Sequence, residues 1–324
     1  MKILTTAALL TLAGASWAQT NTLTVYTYDS FVTDWGPGPA IKAAFEETCD
    51  CTLEFVPAGD GAALLARVWL EGARTDADVV LGLDNSLMEP ARDTGLFAPH
   101  AGIPAGLTLP VAWDDDIFLP YDWGYLAFVY DNTSSIDVPA NFEELAASDI
   151  SIIIQDPRSS TPGLGLMFWV KAAYGTDAGT IWEGLSDNIV TVTKGWSEAY
   201  GMFLEGEADM VLSYTTSPAY HLIAEGDPTK SAAEFTEGHF MQIEVAAKLK
   251  NTDQNDLADA FLAFMTDEAF QSAIPQTNWM YPVTATALPD GFETLIQPNP
   301  VTLEPLTVDY RKAAMDEWLA ALSQ

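Results

Sequence analysis

The residues best placed to do chemistry sit in four loops. Ser159-Ser160-Thr161-Pro162-Gly163 and Tyr214-Thr215-Thr216-Ser217-Pro218 each join a predicted strand to a predicted helix. Thr161 and Ser217 are good N-caps, and Pro162 and Pro218 suit the first helical position. Free backbone N–H groups at the positive end of a helix dipole hold anions without help from Lys or Arg. One Ser/Thr-Pro is most often only a cap; two at strand ends in one lobe point to a site. Tyr28-Asp29-Ser30-Phe31 and Asp60-Gly61 follow the first two predicted strands. Aromatic residues suggest the other half of a ligand. Trp196 opens a helix, Tyr220 lies one turn beyond Pro218, and Trp279 sits in Asn278-Trp-Met-Tyr281, all outside any helical stripe. Trp and Tyr faces hold cations and flat heterocycles, although an aromatic taken singly is more often core. Six acids and no Lys or Arg fall between Gly195 and Thr229, so these surroundings favour a cation.

Catalytic patterns do not appear. Gly195-Trp-Ser-Glu-Ala199 lacks the last glycine of a nucleophile elbow, and Phe168 stands where Gly163-Leu-Gly165 needs the third glycine of a dinucleotide loop. His100, His221 and His239 are far apart, with no metal-ligand spacing, and no carboxylate pair stands out from so many acids. No metal and no cofactor are expected. Cys49 and Cys51 form a C-x-C pair that reads as a local structural disulfide rather than a redox or metal site.

The elements that position these loops alternate. Leu23–Tyr28, Thr52–Val56 and Asp78–Asp84 read as strands. Between them lie a helix opened by Pro39 and a helix with Leu64, Leu65, Val68 and Trp69 on one face, stopped by Gly72. After an aromatic β stretch over Phe118–Tyr130, the rhythm resumes with strands Ser151–Gln155, Ile189–Thr193 and Met210–Tyr214. Helices Gly163–Tyr174 and Ser197–Leu204 alternate with them. A strand at Met241–Ala247, a helix around Phe261 and a last helix over Lys312–Leu322 complete the chain. This predicts an α/β protein of two doubly wound lobes with a ligand cleft at the strand ends.

The 324 residues include 13 Lys and Arg against 46 Asp and Glu, a formal charge of −33. That field repels polyanions and excludes nucleic acid and anionic membrane as partners. Lys2, the apolar run Ile3–Gly14 and the small-x-small Ser16-Trp17-Ala18 predict a cleaved signal peptide over residues 1–18. Its removal takes away one lysine and no acid, leaving −34. No later run of roughly 18 apolar residues follows, so no membrane insertion is expected.

Several long motifs carry a resemblance. They include Leu23–Phe31, Asp34-Trp-Gly-Pro-Gly-Pro39, Asp78–Asn85, Gln155–Leu166, Thr191–Gly201, Leu212–His221 and Asn278-Trp-Met-Tyr-Pro-Val283. In this order they closely resemble the periplasmic thiamine-binding proteins of bacterial ABC importers, through nearly the whole exported chain and including the C-x-C pair. The stretch after about Pro289 matches less distinctly, and the extreme negative charge is the clearest departure. The resemblance implies a two-lobed type II periplasmic binding fold. Lobe 1 is expected over 19–121 plus 236–283 and lobe 2 over 122–235 plus 284–324. It implies a monomer in the periplasm that closes on thiamine, thiamine monophosphate or thiamine diphosphate and presents it to a membrane permease. Its ligand contacts would fall on Tyr28, Asp60, Gly61, Ser160, Thr161, Trp196, Tyr214, Thr215, Thr216, Ser217, Tyr220 and Trp279. A polyamine or ferric-ion receptor of similar architecture, and a secreted hydrolase using two cleft acids, are the rival expectations.

Overall fold

Alternating and fully apolar segments become strands of one connected sheet in the computed structural model, which describes residues 21–323. The expected signal peptide lies outside the described residues. In chain order the strands are β1 (Thr22–Thr27), β2 (Thr52–Pro57), β3 (Val79–Asp84), β4 (Leu119–Asp131), β5 (Ile152–Gln155) and β6 (Ile189–Thr193). They continue as β7 (Met210–Tyr214), β8 (Lys230–Ala232), β9 (Met241–Lys248) and β10 (Tyr281–Pro282). The spatial order is β2-β1-β3-β9-β4-β7-β5-β6, with β8 and β10 both pairing with β4.

This order has two similar halves. In the first, β1 runs parallel to β2 and β3; in the second, β5 runs parallel to β6 and β7. The antiparallel pair β4 and β9 lies between them. All six residues of β3 are buried, as expected of a strand covered on both faces, but β3 is parallel only to β1 and pairs antiparallel with β9. β4 serves both halves: Leu119–Tyr125 pair with β9, whereas Leu126–Tyr130 pair with β7. The change of partner falls between Tyr125 and Leu126, inside one unbroken strand.

Helices cover the sheet much as the periodicity predicts. Helix Gly38–Glu46 carries Pro39 in its first turn, and Gly72 ends helix Gly61–Glu71 with a φ of 57°. On the latter, Leu64, Leu65 and Val68 are buried, but Trp69 is 65% exposed, a correction to the expected face. The Leu64/Val68 stripe faces the sheet, and Trp69 is rotated about 100° away from Val68. Helix Thr161–Tyr174 starts two residues earlier than expected and is buried along its whole length to Val170. It is enclosed by the sheet and by helices Ala178–Leu185 and Val308–Leu322, which explains its apolar character all round. The last of these begins four residues before the expected Lys312 because Thr307 caps it, accepting from the Tyr310 N–H. Cys49 and Cys51 are bonded to each other beside the Phe45 core. No helix among the described residues is long and apolar enough to cross a membrane.

Candidate functional site

The C-terminal ends of the parallel strands from both halves converge on one cavity of about 490 Å³, within the ordinary range for small-molecule sites. Its walls are largely aromatic: Trp35, Trp196, Tyr200, Tyr214, Tyr220 and Trp279 all line it. Asp60 and Glu244 are its only ionisable carboxylates, and no Lys, Arg or His lies among the described lining residues.

Asp60 joins the halves. It stands at the N-cap of helix Gly61–Glu71, and its Oδ2 accepts from Ser160 Oγ at 2.7 Å and from the Trp196 N–H at 2.9 Å. Burial pushes its carboxyl up, and these two donors oppose that shift. The neighbouring Gly61 has no room for a side chain, because a Cβ would come within 2.5 Å of Thr161 Cγ2. A backbone bond from the Ala63 N–H to the Ser159 carbonyl, 2.9 Å, ties the same two loops.

The expected caps need correction. Ser160 and Thr216, not Thr161 and Ser217, occupy the N-cap positions, and neither side chain caps its helix. Each N-cap lies one residue before the expected one, so both prolines fall within the first turn. The Ser160 hydroxyl is spent on Asp60, and Thr216 Oγ1 contacts Met280 Sδ at 3.8 Å. The second helix is a three-residue α turn, Ser217–Ala219, that passes into a π turn over Tyr220–Glu225, so its dipole is weaker than two matching caps would imply.

Of the twelve expected contacts, nine line the cavity. Ser160, Thr215 and Thr216 do not; all three are fully buried. The Thr215 N–H is held by the Tyr125 carbonyl, and its hydroxyl has no partner. These residues therefore sit behind the wall and shape it.

The aromatic walls are held by a hydrogen-bond relay. Trp196 Nε1 donates to Ser213 Oγ at 2.8 Å, and that hydroxyl pairs with Ser217 Oγ at 2.7 Å. The indole stacks on Tyr200, with centroids 5.1 Å apart and planes 24° apart. The Tyr200 hydroxyl meets His221 Nε2 at 2.9 Å, and His221 Nδ1 meets Glu225 Oε2 at 2.8 Å. The other oxygen of Glu225 accepts from the Tyr220 hydroxyl at 2.8 Å, and Tyr220 meets Trp279 edge-on at 5.6 Å. One carboxylate thus supports two walls. Trp279 is the one non-glycine residue with positive φ among those described, 56°. A bulky residue there is strained, and such strain concentrates at functional sites.

The floor is acidic. Glu244 Oε2 accepts from the Tyr121 hydroxyl at 2.6 Å and the Tyr28 hydroxyl at 3.0 Å. Asp122 lies directly opposite Glu244 across the β4–β9 pairing and accepts from Asn278 Nδ2 at 2.7 Å. Sequence reasoning missed Glu244, Asp122 and Tyr121, although an acid inside each of two otherwise buried strands was a readable signal. It also missed Tyr200, His221 and Glu225, whose roles depend on a π turn that no residue pattern announces.

Residues 33–272 match the family model of the bacterial extracellular solute-binding proteins. The chain belongs to that family. This solute-binding protein is 52% identical over 307 residues to the thiamine-binding periplasmic protein of Escherichia coli (strain K12), covering 93% of this chain and 94% of the relative. Among solved structures it is similar to a periplasmic thiamin binding protein, with a TM-score of 0.91 and 50% identity over 95% of this chain and 98% of that one. A ferric binding protein from Campylobacter jejuni shares the fold at a TM-score of 0.77 and 18% identity, covering 92% of this chain and 99% of its own. The solute-binding protein therefore has the periplasmic binding fold expected of it.

Proposed function

We propose that the cleft captures thiamine and its phosphate esters and that the protein hands them to the membrane permease of an ABC importer. The observation that carries this reading is the cavity itself: aromatic walls, two acids and no basic lining residue. Thiamine is a fixed thiazolium cation joined to a flat aminopyrimidine, and both rings suit such walls at roughly 0.5–2 kcal/mol per contact. Tyr28, Asp60, Gly61, Thr161, Trp196, Tyr214, Ser217, Tyr220 and Trp279 make the contacts, while Ser160, Thr215 and Thr216 support them from behind. An ester phosphate lies at the first turn of helix Thr161–Tyr174, where backbone N–H groups supply the donors.

The protein works in the periplasm as a monomer, after export on residues 1–18. Its two lobes, 19–121 plus 236–283 and 122–235 plus 284–324, close on the ligand and are stabilised by its differential affinity for the closed form. No bond is made or broken. A ferric ligand is disfavoured, since it needs phenolate oxygens. Burial and the Glu244 charge push the Tyr28 and Tyr121 hydroxyls well above their usual range. Polyamines would use convergent acids and the aromatic faces but would leave the two Ser/Thr-Pro loops idle.

Titrating the purified protein with thiamine should quench its tryptophan fluorescence and saturate at one ligand per chain. A flat titration with thiamine and both esters, or clear turnover of glycosides or esters, would overturn this function.

A further inference from the structure

Two buried carboxyls, Asp122 and Glu244, face each other at the floor of the cleft, and no cation accompanies them. Asp122 and Glu244 are opposite residues of an antiparallel pair, so their side chains project to the same face. The groups facing them are the Tyr28 hydroxyl from the end of β1, Tyr121 beside Asp122 on β4, Tyr214 from β7 and Asp84 from β3. All of these are neutral or negative. Arg311 donates to the Ser86 carbonyl and acts on Asp84.

Hydrogen-bond accounting points the same way. Asp122 Oδ2 is satisfied by Asn278, but Asp122 Oδ1 is buried without a donor. Glu244 is within hydrogen-bonding reach of Asp122, yet two ionised carboxylates have no hydrogen to place between them. Two such groups in one dry site do not both ionise. A single shared proton satisfies the orphan oxygen and removes the repulsion together.

Glu244 also lines the cavity, whereas Asp122 lies behind it. We propose that this pair is the cation-specifying floor of the cleft: it holds one proton when the cleft is empty and releases that proton to solvent when a cationic ligand seats. The charge balances, one positive charge entering as one leaves. A neutral ligand of the same shape displaces no proton and leaves the pair without its reward, so the device selects for fixed positive charge. This rests on the thiamine reading and goes beyond it, because the resemblance places no contact on either acid.

The pair's proton is visible by infrared spectroscopy in the ligand-free protein at neutral pH, as the carbonyl band of a buried carboxylic acid lost in Asp122→Asn. Calorimetry of thiamine binding in two buffers of different ionisation enthalpy then counts protons released. Up to one proton per thiamine is expected, with affinity rising as pH increases and approaching tenfold per unit below the pair's titration, which burial and mutual repulsion push above the usual carboxylate range. Glu244→Gln should weaken thiamine at least tenfold and abolish the release; any release remaining there belongs to thiamine itself. Asp122→Asn gives the same comparison should Glu244→Gln fold poorly. Equal proton release in wild type and both variants, or no carboxylic-acid band, overturns the proposal. Absence of any thiamine binding by wild type instead overturns the ligand reading and the release step with it, while the band still decides whether the proton is shared.

Discussion

Trp196 shows how a single side chain is made into a rigid wall. Ser213 anchors its indole N–H, Tyr200 stacks on one side, and Trp35 lies tilted 6.5 Å away. Replacing it with alanine should weaken thiamine by at least about 1 kcal/mol, and unchanged affinity by calorimetry would take Trp196 out of the site. Glu225 does not itself line the cavity, yet it holds Tyr220 directly and Tyr200 through His221. The two donors from Tyr220 and His221 hold its carboxyl below the usual range, so it remains charged at neutral pH. Glu225→Ala should cost about 1 kcal/mol of binding. Combined with Tyr200→Phe, the loss should be less than the sum of the two, as expected of members of one network. Strict additivity would show that the relay transmits nothing.

At the scale of elements, the close fit of β1 to β3 sets the position of Tyr28. Gly82 lies at a φ of +107°, and a Cβ there would come within 2.2 Å of the Tyr28 ring. Gly82→Ala therefore combines backbone strain with displacement of the ring and should cost about 2–4 kcal/mol of stability. A melting temperature within a degree of wild type would refute that. Elements of this kind were legible where the chemistry is local. β3 reads as a buried strand because nothing polar interrupts Val79–Leu83, and Gly72 reads as a stop because glycine alone takes its backbone easily. Most of the aromatic site was legible too, since Trp196, Tyr220 and Trp279 belong to no apolar stripe. What escaped was set by distance along the chain. The Ser160 hydroxyl abandons its helix for Asp60, 100 residues away, and Asp122 finds Glu244 only when β4 and β9 pair. The start of a helix is a matter of one residue; which distant partner claims its cap is a matter of the fold.

At the scale of the whole molecule, charge and proton balance dominate. Glu244 keeps its proton to about pH 7 in the fold against an ordinary 4.5, chiefly because it is buried. Between those values the folded chain binds more protons than the unfolded one, so this group makes stability fall as pH rises. Glu244→Gln should flatten that decline and gain most, relative to wild type, above pH 7. Denaturant titrations across pH 5 to 8 will check this, and parallel curves for the two proteins would contradict it. The formal charge of −33 acts further out. Its field draws a cation toward the cleft and is screened over about 10 Å at 0.1 M salt. The association rate for thiamine should therefore fall as salt rises, and a salt-independent rate in stopped-flow fluorescence would remove steering from the account.

The strand Leu119–Asp131 lends its first part to one half of the sheet and its second part to the other. Neither half can be excised as an independent fragment, because any cut that frees one strips hydrogen-bonding partners from a stretch of that strand. The bare rim left behind would pair with the same rim on another copy. Truncated versions of this chain are accordingly expected to be recovered as intertwined aggregates, while the intact polypeptide stays dispersed.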